Sequence, residues 1–160
     1  MKHTLSVLLQ NKPGALSRVT GLFSGRGFNI ESLCVAETLD PKVSCMTLVT
    51  KGNNAIIEQV TKQLHKLIDV IKVSDISDSE YVEREMVLIR VKAEAQTRAE
   101  VLRVIDIFRG KVVDVSPNSY AVEITGPESK IKAVLDLIRP IGIKEVIRTG
   151  TIAMARAPKK

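Results

Sequence analysis

The sequence predicts an α+β fold of two tandem ferredoxin-like domains, each with the element order βαββαβ. Two observations predict it. Apolar residues alternate in short runs typical of strands and recur at helical spacing between those runs. After a polar stretch at residues 77–80 the same order of elements returns. The length of 160 residues suits two small domains of roughly 75 residues each, which we place at residues 1–78 and 79–160.

Six elements are predicted in the first domain. Apolar and polar residues alternate over 4–9, which indicates a strand, and apolar residues recur at helical spacing over 15–23. Gly25 and Gly27 indicate where that helix ends, because glycine readily adopts the left-handed backbone that closes many helices. The remaining elements are strands at 28–38 and 43–50, a helix that starts at Asn53 or Asn54, and a strand at 70–76.

The second domain repeats this order. A strand is predicted at 85–92, and Thr97 and Glu100 have the spacing of a capping box that opens a helix. The remaining elements are strands at 112–115 and 120–124, a helix that begins at 126–128 and stops at Pro140, and a strand at 144–148. Because two helices cover one face of each sheet, we expect the other face and the edge strands to be open to a partner.

The loop Asn11-Lys12-Pro13-Gly14-Ala15-Leu16, between the first strand and the first helix, is the main candidate for a binding site. Pro13 suits a first helical turn, where the missing N–H group is not needed. Gly14 exposes the backbone. We therefore expect the N–H groups of Gly14, Ala15 and Leu16 to face a small anion at the positive end of the helix.

Two asparagines offer a complementary group. Asn11 lies in this loop, and Asn29 lies in Gly27-Phe28-Asn29-Ile30, past the far end of the helix. Each carries a neutral side-chain oxygen that can accept a hydrogen bond from an ammonium group. A tight turn explains the first asparagine but does not require the second. Carboxylate donors beside ammonium acceptors, with apolar residues between them, predict a pocket for a free amino acid.

No catalytic or metal site is predicted from the residues. The only histidines in the sequence are His3 and His65, and neither has Cys, Asp or Glu at metal-ligand spacing. No nucleophile with an adjacent base and no carboxylate dyad stands out. Gly25-Arg26-Gly27 follows a helix instead of opening one after a strand, so it lacks the context of a dinucleotide-binding loop.

The composition argues against nucleic acid and membranes as partners. The net charge is +6, but the basic residues are largely dispersed. RNA-recognition domains share the βαββαβ order, yet they stack bases on aromatic side chains, and aromatics make up only 3% of this chain. No apolar run approaches the roughly 20 residues that span a bilayer, and the first residues lack a signal-peptide core. We expect a cytoplasmic protein.

Several stretches together carry a resemblance to a known family. They are Asn11-Lys12-Pro13-Gly14-Ala15-Leu16-Ser17-Arg18-Val19, Leu22-Phe23-Ser24-Gly25-Arg26-Gly27-Phe28-Asn29-Ile30-Glu31-Ser32-Leu33, residues 62–67 and 82–85, Ile107-Phe108-Arg109-Gly110-Lys111-Val112-Val113-Asp114-Val115, and residues 148–150. They closely resemble the small subunits of acetohydroxyacid synthase (acetolactate synthase), whose N-terminal half is an ACT domain. These are regulatory chains of the first common enzyme of branched-chain amino acid biosynthesis. The resemblance covers nearly the full length.

The resemblance implies a homodimer joined through its ACT domains, with valine bound at the interface as the allosteric ligand. The effector-binding residues that it implies are Asn11, Gly14, Ala15 and Leu16 from one copy, completed by Asn29 and Ile30 from the other. In this interpretation residues 1–78 bind the effector and form the dimer. Residues 79–160 contribute to activating the catalytic subunit.

The resemblance also implies a non-catalytic chain that holds no cofactor of its own. Thiamine diphosphate, magnesium and FAD are expected in the large catalytic subunit, which this chain would activate and make sensitive to valine. An alternative is a stand-alone, amino-acid-responsive ACT module that acts on another partner or on nucleic acid. An enzyme with its own activity is a third possibility, which the residues favour least.

Overall fold

The computed structural model describes residues 1–158, and these form two compact units. The first contains residues 1–82 together with the segment that begins at Thr151, and the second contains residues 83–150. The division thus falls between 82 and 83, where the sequence placed it between 78 and 79, and the C-terminal segment returns to the first unit. None of the helices in the described part of the chain combines the length and hydrophobicity that a bilayer crossing requires.

The first unit is a four-stranded antiparallel sheet with two helices. Its elements are β1 (Lys2–Gln10), α1 (Ala15–Gly25), β2 (Ile30–Glu37), β3 (Val43–Lys51), α2 (Asn54–His65) and β4 (Val70–Asp75). Its sheet order is β2-β3-β1-β4, so β2 and β4 are the edge strands.

The core of the first unit follows from the alternation in its strands. Val7 pairs with Met46 and Leu5 with Leu48 in the register of β1 and β3, so these four side chains share one face of the sheet. All four are fully buried, together with Phe23 of α1. Burying each such side chain contributes about 1.5–3 kcal/mol. This packing fixes the end of β1 from which the loop to α1 departs.

The second unit has the same order of elements, which confirms the predicted fold class of two tandem βαββαβ domains. Its elements are β5 (Tyr81–Lys92), α3 (Arg98–Ile107), β6 (Lys111–Val115), β7 (Ser119–Gly126), α4 (Glu128–Ile138) and β8 (Ile143–Arg148). Its sheet order is β6-β7-β5-β8. A short further strand, β9 (Ile152–Ala155), lies in the C-terminal segment that belongs to the first unit.

The sheet face opposite the helices of the first unit is not fully open, contrary to the prediction. The segment that contains β9 lies against it: the Thr151 N–H donates to the Ser32 hydroxyl at 3.0 Å, and the Ala153 N–H donates to the Thr47 hydroxyl at 3.3 Å. Thr47 alternates with the core residues of β3 and therefore faces away from the helices. The four residues of this short strand are too few to show a recognisable alternation of apolar and polar side chains.

The predicted helix starts have mixed outcomes. Asn53 caps α2, because its side-chain oxygen accepts a hydrogen bond from the Ile56 N–H at 2.9 Å. The predicted capping box at Thr97 was wrong. Thr97 has helical backbone angles and makes no side-chain cap, and its hydroxyl points instead toward the carbonyl of Glu94 at 3.5 Å. A residue that already has helical angles cannot place its side chain over the following N–H groups.

Candidate functional site

The loop between β1 and α1 turns at Pro13 and Gly14. Gly14 is the N-cap of α1 and has φ +84°, a left-handed conformation that favours glycine. It makes no side-chain cap, having no side chain. The Arg18 N–H donates to the Gly14 carbonyl at 3.0 Å, which closes the first turn of the helix. The local sequence therefore starts the helix without covering its first N–H groups.

The exposed N–H groups at this helix start are two of the three that the sequence predicted. The Ala15 N–H donates to the Lys12 carbonyl at 3.3 Å, so it closes a turn. Within residues 1–158, the N–H groups of Gly14 and Leu16 make no hydrogen bond. Unpaired N–H groups at the positive end of a helix form a ready site for a carboxylate.

Asn11 is held in place by the hairpin between β2 and β3. Its backbone N–H donates to the Lys42 carbonyl at 2.8 Å, and its side-chain Nδ2 donates to the Pro41 carbonyl at 2.9 Å. These bonds use the backbone N–H and one of the two N–H groups of Nδ2, and they leave the Oδ1 atom available as an acceptor. The side chain is therefore positioned to take a hydrogen bond from an ammonium group.

An open cavity of about 300 Å³ lies beside this loop. Of the four candidate residues in this loop, Asn11, Ala15 and Leu16 line one side of the cavity, and Gly14 is not among its lining residues. On the other side it is lined by residues that the sequence analysis did not single out, Val35, Ala36 and Glu37 at the end of β2. Apolar walls beside polar donors and acceptors suit a small amphipathic ligand.

Asn29 and Ile30 lie away from this cavity within one chain. Gln10, next to the loop, pairs with Val43 at the start of β3, whereas Ile30 pairs with Thr50 near its end. The two candidate groups are thus at opposite ends of the strands, and an 11-residue helix, about 16 Å long, separates them. Asn29 is exposed and its backbone carbonyl accepts from the Thr50 hydroxyl at 2.6 Å.

Asp69, which the sequence analysis did not single out, forms ion pairs with Lys12 in the loop and with Arg18 in α1. It is 3% exposed, and its carboxylate pairs with the Lys12 ammonium at 2.8 Å and with the Arg18 guanidinium. The hydrogen bond from Lys12 lowers the pKa of Asp69, with help from the Arg18 charge and against the opposing effect of burial. A lone carboxylate between apolar residues, as in Ile68-Asp69-Val70, is the signal that could have found it.

A second cavity, of about 410 Å³, lies on the far side of the first unit. His3, which lines it, is 5% exposed, and its Nδ1 lies 3.0 Å from the Asp75 carboxylate. Burial acts to raise the pKa of Asp75, but hydrogen bonds from Ser77 and His3 outweigh it and lower the pKa. Within the described residues, no three His, Cys, Asp or Glu side chains are grouped as metal ligands.

Two family models match adjoining parts of the chain. The model described as "AHAS small subunit-like ACT domain" matches residues 5–72, and the model described as "Small subunit of acetolactate synthase" matches residues 84–157. The first match contains the candidate loop and the whole of its cavity. The second covers most of the second unit and the C-terminal segment.

Named relatives match over nearly the full chain. The acetolactate synthase small subunit of Aquifex aeolicus is 51% identical over 97% of this chain and 81% of its own length. The small subunit of acetolactate synthase isozyme 3 of Escherichia coli is 49% identical over 99% of this chain and 98% of its own. The crystal structure of the acetolactate synthase small subunit of Thermotoga maritima, 40% identical, superposes with a TM-score of 0.91 and covers 99% of both chains.

Proposed function

This chain belongs to the family of acetolactate synthase small subunits, and on that premise we propose that it activates a catalytic subunit and makes it sensitive to valine. The chain contributes no reacting group of its own in this proposal. Acetolactate formation, with thiamine diphosphate, magnesium and FAD, belongs to the catalytic partner. The small subunit acts by binding an amino acid and changing the state of that partner.

The cavity beside the β1–α1 loop is the observation that carries the proposal. In this proposal the N–H groups of Gly14 and Leu16, which make no hydrogen bond within residues 1–158, hold the ligand carboxylate, and the Oδ1 atom of Asn11 accepts from its ammonium group. Val35 and Ala36 supply an apolar wall for a branched side chain. A free aliphatic amino acid has these three groups around one carbon atom, so its chemistry suits this combination of groups.

A second copy of the chain would complete this site. β2 is an edge strand, and two copies related by a two-fold axis would pair their β2 strands antiparallel. Such pairing puts the start of one β2 beside the end of the other. Asn29 and Ile30 of the second copy would then lie next to Val35, Ala36 and Glu37 of the first. This arrangement explains why the two candidate groups are far apart within one chain.

Regulation follows from linkage. A ligand that contacts two copies stabilises the dimer geometry in which both contacts are made, and it regulates only through its difference in affinity between states. A coupling free energy of about 1–3 kcal/mol shifts the partner's equilibrium about 5- to 150-fold. A change of one methylene in an apolar pocket alters binding by about 1–3 kcal/mol, so we expect leucine and isoleucine to be weaker effectors than valine.

Reconstitution with the catalytic subunit tests the proposal. Acetolactate formation by the catalytic subunit alone is compared with its formation after addition of this chain, with and without valine. We expect the rate to rise on mixing and to fall again as valine is added. A catalytic subunit whose rate is the same in all three conditions would refute the assignment. Leucine and isoleucine at matched concentrations serve as the specificity control.

A further inference from the structure

Asp69 contacts the chain on both sides of the loop between β1 and α1, residues 11–16, which is the effector loop of the proposed function. Its backbone carbonyl accepts from the Gln10 N–H at 2.8 Å, immediately before Asn11. Its carboxylate reaches Lys12 at 2.8 Å through one oxygen and Arg18 through the other. Asp69, immediately before β4, therefore contacts the chain on both sides of Gly14 and Leu16, whose N–H groups are exposed.

The two cations enclose the predicted carboxylate-binding groups. Lys12 precedes Pro13, and Arg18 lies in the first turns of α1, so Gly14 and Leu16 lie between the two paired side chains. Between them lie Pro13 and then Gly14 with its left-handed backbone, and the bond from the Ala15 N–H to the Lys12 carbonyl is long at 3.3 Å. Backbone hydrogen bonds of Asn11 and Arg18 hold the two ends of the loop, and the Asp69 carboxylate adds a side-chain contact at each end.

The exposure of the three charged side chains also indicates that Asp69 sets the positions of Lys12 and Arg18. The side chains of Lys12 and Arg18 are about half exposed, at 48% and 56%, whereas that of Asp69 is 4% exposed. Two half-exposed cations thus pair with one buried anion, and we expect the buried group to set their positions. A Cβ atom at Gly14 would lie 3.4 Å from the Arg18 guanidinium nitrogens, so the paired Arg18 packs directly behind the glycine.

We propose that Asp69 is the positioning residue of the effector site: by holding Lys12 and Arg18, it fixes the loop in the conformation that presents the N–H groups of Gly14 and Leu16. Asp69 does not touch the amino acid. The inference rests on the proposed function, because it assigns to the loop the task of binding an amino-acid carboxylate. Loss of the Asp69 charge releases both ends of the loop while every contact residue stays in the chain.

The ordinary alternative is that Asp69 only stabilises the fold, and the experiment must separate the two. Asp69→Asn keeps the shape of the side chain and removes its charge. Glu58→Gln is the matched control, because Glu58 forms an exposed ion pair with Lys62 on α2 of the same unit. Arg18→Gln is a second variant, which removes one half-exposed partner and leaves the buried carboxylate paired with Lys12.

Each full-length variant is assembled with the catalytic subunit and three quantities are measured. They are acetolactate formation without valine, the valine concentration that gives half inhibition, and hydrogen exchange of the backbone amides in the isolated small subunit. We expect Asp69→Asn to raise the half-inhibitory valine concentration at least tenfold and to speed exchange at Ala15, with exchange in β3 unchanged. Glu58→Gln should stay within twofold of the parent in both.

Each outcome bears on one of the two claims. If the half-inhibitory concentration and the exchange at Ala15 in Asp69→Asn both stay within twofold of the parent, the inference is overturned. If exchange also rises throughout β3, the variant is unfolding, and Arg18→Gln decides by the same two measurements. If the parent itself shows no response to valine, the proposed function fails, and exchange at Ala15 alone then decides whether Asp69 holds the loop.

Discussion

Gly14 shows how one residue can set the chemistry of the site. Gly14, with φ +84°, starts α1 without a capping side chain, so N–H groups at the helix N-terminus are left without a side-chain partner. The same conformation places the Arg18 guanidinium directly behind the glycine. Any side chain added at this position enters the space between that cation and the predicted ligand carboxylate.

Gly14→Asp should abolish the response to valine. The new carboxylate would repel the carboxylate of the ligand and compete with Asp69 for Arg18. Gly14→Asn is the control, because it has the same shape and an equal tolerance of the left-handed backbone but no charge. Titration calorimetry should show valine affinity at least tenfold lower for the aspartate than for the asparagine variant, which corresponds to about 1.4 kcal/mol. Equal affinities would contradict a carboxylate at this place.

The ion pairs of Asp69 predict an acid dependence of stability. Its pKa is lower in the folded chain than its ordinary value of 3.8, so its contribution to folding is present above that value and is lost as the pH falls below it. The free energy of unfolding of the parent and of Asp69→Asn, measured from pH 6 downward, should therefore converge below about pH 3.8. A difference that stays constant to lower pH would contradict the ionised pair.

For single residues, the sequence predicts roles that depend on contacts close by in the chain. Gly14 and the cap at Asn53 could be identified because each acts on backbone within a few positions. The pairing of Asp69 with Arg18 could not be predicted, since the two residues are 51 positions apart and no spacing rule connects them. The capping box at Thr97 failed for a related reason: the spacing was present, but the backbone had already entered the helical region one residue early.

At the scale of elements, β2 and the C-terminal segment decide which surfaces are available. β2 begins at Ile30, its last three residues line the cavity, and it lies at the edge of its sheet. Ser32 in β2 accepts the Thr151 N–H, so the C-terminal segment is bonded to the strand that the proposed dimer would pair. The helices were predicted more closely than this segment, because their apolar periodicity is long enough to recognise.

Two variants should loosen the C-terminal segment at separate points. Thr47→Val removes the acceptor of the Ala153 N–H, and Ser32→Ala removes the acceptor of the Thr151 N–H. A lost hydrogen bond of this kind costs about 0.5–1.5 kcal/mol. Hydrogen exchange should therefore speed at Ala153 in the first variant and at Thr151 in the second, and each variant is the control for the other. Unchanged exchange at both amides would contradict these contacts.

At the scale of the whole molecule, the two βαββαβ units could be predicted from sequence because the order of elements is repeated. The boundaries of the first unit could not be predicted, because this unit extends to Val82 and also includes the segment that begins at Thr151. The candidate site is also only partly contained in one chain. Asn11, Ala15 and Leu16 meet, whereas Asn29 lies at the other end of the strands. In the proposed dimer, two copies of the chain therefore share each site.

A mixed dimer tests this sharing most directly. Asn11→Ala and Asn29→Ala chains, carrying different tags, are co-expressed, and the dimer that contains one of each is purified. If each site takes its loop from one copy and the start of β2 from the other, one of the two sites in the mixed dimer has no substitution. Valine titration should find about half the sites of the parent dimer and none in either homodimer. A mixed dimer that binds no valine, beside a parent dimer that does, would contradict the shared site.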